Sequence, residues 1–113
     1  MQSDLTNLHH IKKETTYLCH ILTTYSHEMF MQDEMCQRAV VRSLEIIGEA
    51  VKNLTQEFTS LHHEIPWKLI AGTRDKLIHG YFDVDYDLIW DTVVQDIPSL
   101  HKSISQFISD QNT

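Results

Sequence analysis

Apolar or half-apolar residues fall at Leu5, Leu8, Ile11, Thr15, Leu18, Leu22 and Tyr25, in steps of three and four that mark one face of a helix. This spacing predicts a first helix over about 4–26. A second stripe of Cys36, Val40, Leu44, Ile47, Val51 and Leu54 predicts a helix over about 34–54, with Asp33 ahead of it where an N-cap acceptor is useful. From Thr55 to Glu64 the pattern dissolves into scattered polar residues, which reads as a connection. Pro66 then supplies a pre-set φ, so a third helix starts at Pro66 or Trp67, carries Trp67, Ile70, Arg74, Leu77 and Tyr81 on one stripe, and stops near Gly80. Tyr86, Trp90, Val93, Ile97, Leu100, Ile104 and Phe107 predict a fourth helix over about 85–109. Pro98 removes an N–H within it and predicts a kink near Asp96.

Four amphipathic helices with modest connections are most simply buried as an all-α, antiparallel helical bundle. With 113 residues the chain fits one domain, 1–113, and 42% apolar residues suffice for a core. Only 3 Gly and 2 Pro leave too few turn residues for an all-β sandwich. The second helix has Ala39, Val41 and Ile46 outside its main stripe, more apolar surface than one small bundle needs, which predicts a homodimer. No apolar window is long enough for a membrane span, and Met1 to Lys13 lacks the continuous apolar stretch of a signal peptide. Cys19 and Cys36 form no CxxC pair and read as reduced, buried thiols of a cytoplasmic protein.

A net charge of −7 argues against a general grip on nucleic-acid backbone. The charge is uneven, however. Residues 38–76 alone lack an acidic excess and carry Arg38, Arg42, Lys52, Lys68, Arg74 and Lys76, so a polyanion is expected there if anywhere. Within this stretch Arg74, Asp75, Lys76, His79 and Tyr81 crowd the end of the third helix. The arginine fork suits phosphate oxygens, and histidine exchanges protons near neutrality, so the pair suits phosphodiester chemistry. On an ideal helix Arg74 and His79 are about 140° apart, so both reach one phosphate only if the helix unwinds at Gly80 or a two-fold partner completes the cleft. By residue type alone a structural role is the commoner outcome: Arg74 paired with Asp75 or a glutamate, His79 at a helix end, Tyr81 in the core.

The longer string Ser43-Leu44-Glu45-Ile46-Ile47-Gly48-Glu49-Ala50-Val51-Lys52-Asn53-Leu54, followed by Ile65-Pro66-Trp67 and by Arg74 to Phe82, resembles HEPN-domain ribonuclease toxins of the HepT type over about residues 5–108. These are partners of a minimal nucleotidyltransferase antitoxin. The resemblance implies that Arg74 and His79 are the catalytic residues of a metal-independent endoribonuclease that cleaves through 2′-hydroxyl attack, with no cofactor. It implies that Asp75 fills a position that is polar in the family, that Tyr81 accepts AMP from the antitoxin, and that two motifs of a homodimer face one cleft. Lys76 adds diffuse attraction for RNA, and Tyr81 positions the substrate.

The adjacent pairs His9 with His10 and His62 with His63 do not share a helix face and make no metal clamp. His20, His27 and Cys19 lack the carboxylate spacing that completes a helical metal site. Glu45 and Glu49 lie four apart and either back Arg74 or face solvent. Two alternatives to the ribonuclease stay open here: a non-catalytic helical module that binds a nucleotidyltransferase or a nucleotide, and a metal-dependent helical carboxylate protein.

Overall fold

The computed structural model describes residues 2–77 and 83–111. The described residues are all-helical, in seven segments: α1 (Gln2–Thr24), α2 (His27–Gln32), α3 (Glu34–Lys52), α4 (Gln56–Leu61), α5 (Trp67–Ala71), α6 (Thr73–Leu77) and α7 (Tyr86–Gln111). Three long helices, α1, α3 and α7, form the frame, in place of the four main helices expected. Asp4 meets Thr55, Asn7 meets Asn53 and Glu14 meets Ser43, a falling register that sets α3 antiparallel to α1. The start of α7 lies by α2, through His27 and Asp87, and its far end by α4, through Phe107 and Phe58, so α7 is also antiparallel to α1.

The predicted stripes of α1, α3 and α7 supply most of the core, whereas the stripe predicted for the third helix includes the exposed Arg74. Leu8, Ile11, Leu18, Val40, Leu44, Ile47, Ile89, Val93, Ile97 and Ile104 are all buried. The buried side chains of Asp4, Thr15 and Ser43 are paired, as their desolvation requires, whereas Ser105 Oγ is buried without a hydrogen-bond partner among the described residues. Thr15 Oγ1 meets His101 Nδ1 at 2.9 Å between α1 and α7. The Asp4 carboxylate accepts the Thr55 hydroxyl at 2.6 Å and its backbone N–H at 2.8 Å, while Thr55 Oγ1 caps α4 by accepting from Phe58 N.

Local chemistry accounts for each departure from the predicted elements. Helix α1 ends before Ser26, whose hydroxyl accepts from Met29 N and starts α2 as a separate helix. Asp33 is the predicted cap of α3: its Oδ1 accepts from Cys36 N at 3.0 Å. The Tyr25 hydroxyl donates to Asp33 Oδ2 at 2.7 Å. This bond, with burial and the Asp33 charge, pushes the Tyr25 hydroxyl up to about 12, and Asp33 is held below the usual carboxylate range by the Cys36 N–H and then by Tyr25. The connection expected over 55–64 contains α4. The third helix is broken at Gly72 into α5 and α6, because Gly72 is a weak helix former and the Thr73 hydroxyl donates to Leu69 O at 2.9 Å, a carbonyl that an unbroken helix would give to the Thr73 N–H. Helix α7 continues through Pro98 to Gln111. Cys36 is buried and Cys19 only half-buried, and both are free thiols.

Among the described residues no helix is long and apolar enough to cross a membrane, and no three His, Cys, Asp or Glu side chains are grouped to hold a metal ion.

Candidate active site

Helix α3 presents two faces. One carries Val40, Ser43, Leu44, Ile47 and Val51 into the core. The other carries Arg38, Arg42, Glu45, Glu49 and Lys52, a second stripe in steps of four and three made of charges. Helix α5 crosses α3 at Gly48, where an added Cβ would lie 3.3 Å from the Ala71 carbonyl oxygen. A larger residue would hold the two backbones apart, so glycine is what lets α5 settle on α3. The next turn of chain, α6, therefore lands over Glu45.

Arg74 of α6 donates from Nε to Glu45 Oε2 at 3.3 Å and from Nη1 to Asp75 Oδ1 at 3.4 Å. The Arg74 side chain is 44% exposed and that of Glu45 33%, so the pair is solvent-screened and contributes at most about 1 kcal/mol to folding. Glu45 instead fixes the inner edge of the guanidinium. The Nη2 edge has no partner among the described residues, which leaves donors free for an anion.

Two cavities flank Arg74, of about 570 Å³ and about 380 Å³. Arg42, Glu45 and Arg74 line both, so Arg74 stands on the ridge between them. The larger is completed by Ile46, Glu49, Lys52 and Ala71, the smaller by Arg38, Val41, Val84 and Tyr86. A further cavity of about 410 Å³ between α5 and α7 is lined by Glu64 and Asp96 and by no cation, so an anionic substrate is disfavoured there.

Of the residues singled out in the sequence, Arg74 and Asp75 meet at the cleft, and Lys76 is exposed and lines neither cavity. His79 and Tyr81 lie outside the described residues. The chain leaves α6 at Leu77 and is back beside it at Asp85, whose N–H donates to Leu77 O at 3.4 Å. Glu45 takes the role behind Arg74 that its spacing left open. Val84 and Tyr86 were not foreseen as lining residues, whereas Arg42 belongs to the basic stretch where a polyanion was expected. The signal for Arg42 was there, in the charged stripe 38, 42, 45, 49, 52, whereas Val84 and Tyr86 reach the cleft only through the return of the chain after α6.

The family model for HepT-like ribonucleases matches residues 11–107. A protein of Caldanaerobacter subterraneus subsp. tengcongensis named "Putative RNase" is 50% identical over 101 residues, 89% of this chain and 90% of its own length. A protein of Thermococcus cleftensis named "Probable ribonuclease HepT" is 58% identical over 73 residues, 65% of this chain and 66% of its own. One of Methanocaldococcus jannaschii, also named "Putative RNase", is 49% identical over 81 residues, 72% and 67% of the two chains. No solved structure matches. The chain belongs to the HepT-like ribonuclease family, of the HEPN type that its sequence resembles, and the expectation of an endoribonuclease is met by that membership.

Proposed function

We propose that the chain is the toxin of a toxin–antitoxin pair, a single-domain, homodimeric endoribonuclease that cuts RNA without a metal ion and is silenced by a nucleotidyltransferase antitoxin. The observation that carries the reading is the half-exposed Arg74, braced on Glu45 and facing open cavities in a chain of ribonuclease family. Arg74 binds the scissile phosphate and stabilises the charge that develops on its non-bridging oxygens. His79 takes the proton of the neighbouring ribose 2′-hydroxyl. The oxygen attacks phosphorus, the bond from phosphorus to the 5′-oxygen of the next nucleotide breaks, that oxygen takes a proton from solvent, and the products carry a 2′,3′-cyclic phosphate and a 5′-hydroxyl. Support for bringing His79 to Arg74 comes from the described flanks of its segment, which leave and rejoin the end of α6 at Leu77 and Asp85. Asp75 accepts from Arg74 and steadies it, Lys76 adds long-range attraction, and Tyr81 positions the substrate.

In the silenced state Tyr81 carries AMP from the antitoxin. The added phosphodiester then sits in the motif that includes Arg74 and competes with RNA for the guanidinium.

The test is expression of the chain alone, with sequencing of RNA ends. Arg74→Ala and His79→Ala each lower cleavage by at least about 100-fold while melting stays near wild type. Cyclic phosphate ends persist in excess chelator. Loss of cleavage on chelation, restored by a divalent ion, overturns the metal-free mechanism; intact-mass analysis of the chain co-expressed with its antitoxin, without an adenylyl group on Tyr81, overturns the mode of silencing.

A further inference from the structure

We propose that the cavity bounded by Arg38, Arg42, Val84 and Tyr86 is a nucleotide subsite that holds the RNA residue next to the phosphate bound at Arg74. The inference rests on the ribonuclease reading above and adds where the flanking nucleotide is held.

Shape and continuity come first. The cavity has a volume of about 380 Å³, and it shares Arg42, Glu45 and Arg74 with the larger one beyond the ridge. Volumes of roughly 300–1,000 Å³ are those of small-molecule sites, ample for one unstacked nucleotide. A strand laid across Arg74 passes from one cavity to the other.

The chemistry of the walls then selects the ligand. Arg42 is exposed and, among the described residues, forms no ion pair or hydrogen bond, in contrast to Arg74. Arg38, one turn away, holds only the solvent-exposed Glu34, at 3.6 Å. In a chain of net charge −7 these two arginines are placed to meet a polyanion. Opposite them stands an aromatic wall. Tyr86 is half-buried, and its ring is braced edge-on by Phe30 with centroids 6.2 Å apart at 69°. Phe30 is itself fully buried and packs on Trp90 at 5.2 Å, so the ring is backed by the core. Val84 extends its apolar surface. Cations on one side and a fixed ring on the other are what a single strand with splayed bases requires: phosphate to arginine, base on the ring. A stacked duplex offers no free base to such a ring.

The test uses the full-length protein and a 2′-O-methyl single-stranded oligoribonucleotide, which binds without being cut, read by fluorescence anisotropy across a salt series, beside cleavage of the unmodified RNA. Arg42→Ala raises Kd about tenfold and reduces the slope of log K against log salt by about 0.7, one phosphate contact on a single strand. Arg42→Lys restores that slope. Tyr86→Leu raises Kd about tenfold, and Tyr86→Phe recovers most of the loss because the stacking face is kept. In cleavage these changes fall on KM more than on kcat. Wild-type protein that binds and cuts RNA, with Arg42→Ala matching it in affinity and salt slope, overturns the subsite and leaves the ribonuclease reading standing. Wild-type protein that neither binds nor cuts any RNA overturns that reading, and the subsite with it. Should Tyr86→Leu fail to fold, the Arg42 pair decides, since that side chain is on the surface.

Discussion

The two faces of α3 each make a hydrogen bond that involves a glutamate, and the two bonds do different things. On the core side, the Ser43 hydroxyl donates to Glu14 Oε1 at 2.9 Å, among Leu44, Ile47 and the α1 stripe. On the open side, Glu45 accepts from Arg74 at 3.3 Å beside two cavities. Ser43 is buried, so its bond satisfies a group that would otherwise be costly, and it helps fix how α1 and α3 lie together. Arg74 is half-exposed, so its bond adds little to folding and serves to aim donors. A carboxylate that holds a fold and one that holds an exposed cation are told apart by what lies on the far side of the bond, not by its length.

Changes at four positions break or sharpen this division, the largest effect first. Ile47→Ala, on the core face, leaves a cavity and costs about 2–5 kcal/mol, visible as a lowered denaturant midpoint, while cleavage per folded molecule is unchanged. Glu45→Ala, two residues away on the open face, inverts the pattern. Its stability stays within about 1 kcal/mol of wild type, but kcat falls about ten- to a hundredfold, and affinity for RNA holds or rises because a negative charge leaves the groove. Glu45→Gln keeps an acceptor for Arg74 and recovers part of the rate. Equal losses of stability in both variants would erase the division.

Gly48→Ala tests the joint between the faces. Alanine gains about 1 kcal/mol in helix propensity, and the contact at 3.3 Å with Ala71 O takes it back, so the melting temperature hardly moves. The displacement carries α5 and α6 outward and lowers cleavage several-fold, read as kcat at saturating RNA.

The smallest effect lies in the corner between α1 and α3. Tyr25 has its hydroxyl raised to about 12, so it stabilises the fold fully below about pH 10 and loses that contribution as pH climbs from about 10 to 12. Asp33 is lowered, so its contribution is present above about pH 4 and is lost as pH falls through its folded value. Tyr25→Phe should flatten the alkaline limb of a stability profile and leave cleavage at neutral pH unaltered.

The long elements were legible because their periodicity is carried by residues that the fold buries: the stripes of α1, α3 and α7 are the observed core, and Asp33 is the cap that its position suggested. The start of α5 at Trp67 was legible too, from Pro66, but α2, α4 and the break between α5 and α6 were not. Helices α2 and α4 are initiated by hydroxyls, at Ser26 and Thr55, and the break lies beside another, at Thr73, and signals of one residue are lost within windows that look for repeats. At the cleft, Arg74 stood out by its neighbours in the chain. Its partner did not, because Glu45 lies 29 residues away and only the close approach at Gly48 decides that it, rather than solvent, faces the guanidinium.

The corner holds one more consequence, for the order in which the chain assembles. Its bonds are short in sequence: Ser26 to Met29, Asp33 to Cys36, Gln37 to the Phe30 and Met31 carbonyls, Tyr25 to Asp33, none spanning more than 8 residues. Thr15 with His101 spans 86. Loop closure costs more entropy the longer the loop, so the hairpin of α1 and α3 is the inexpensive part to close, and α7 docks onto it as the long-range step. The charged face of α3 is thereby built on the two helices that a local corner joins.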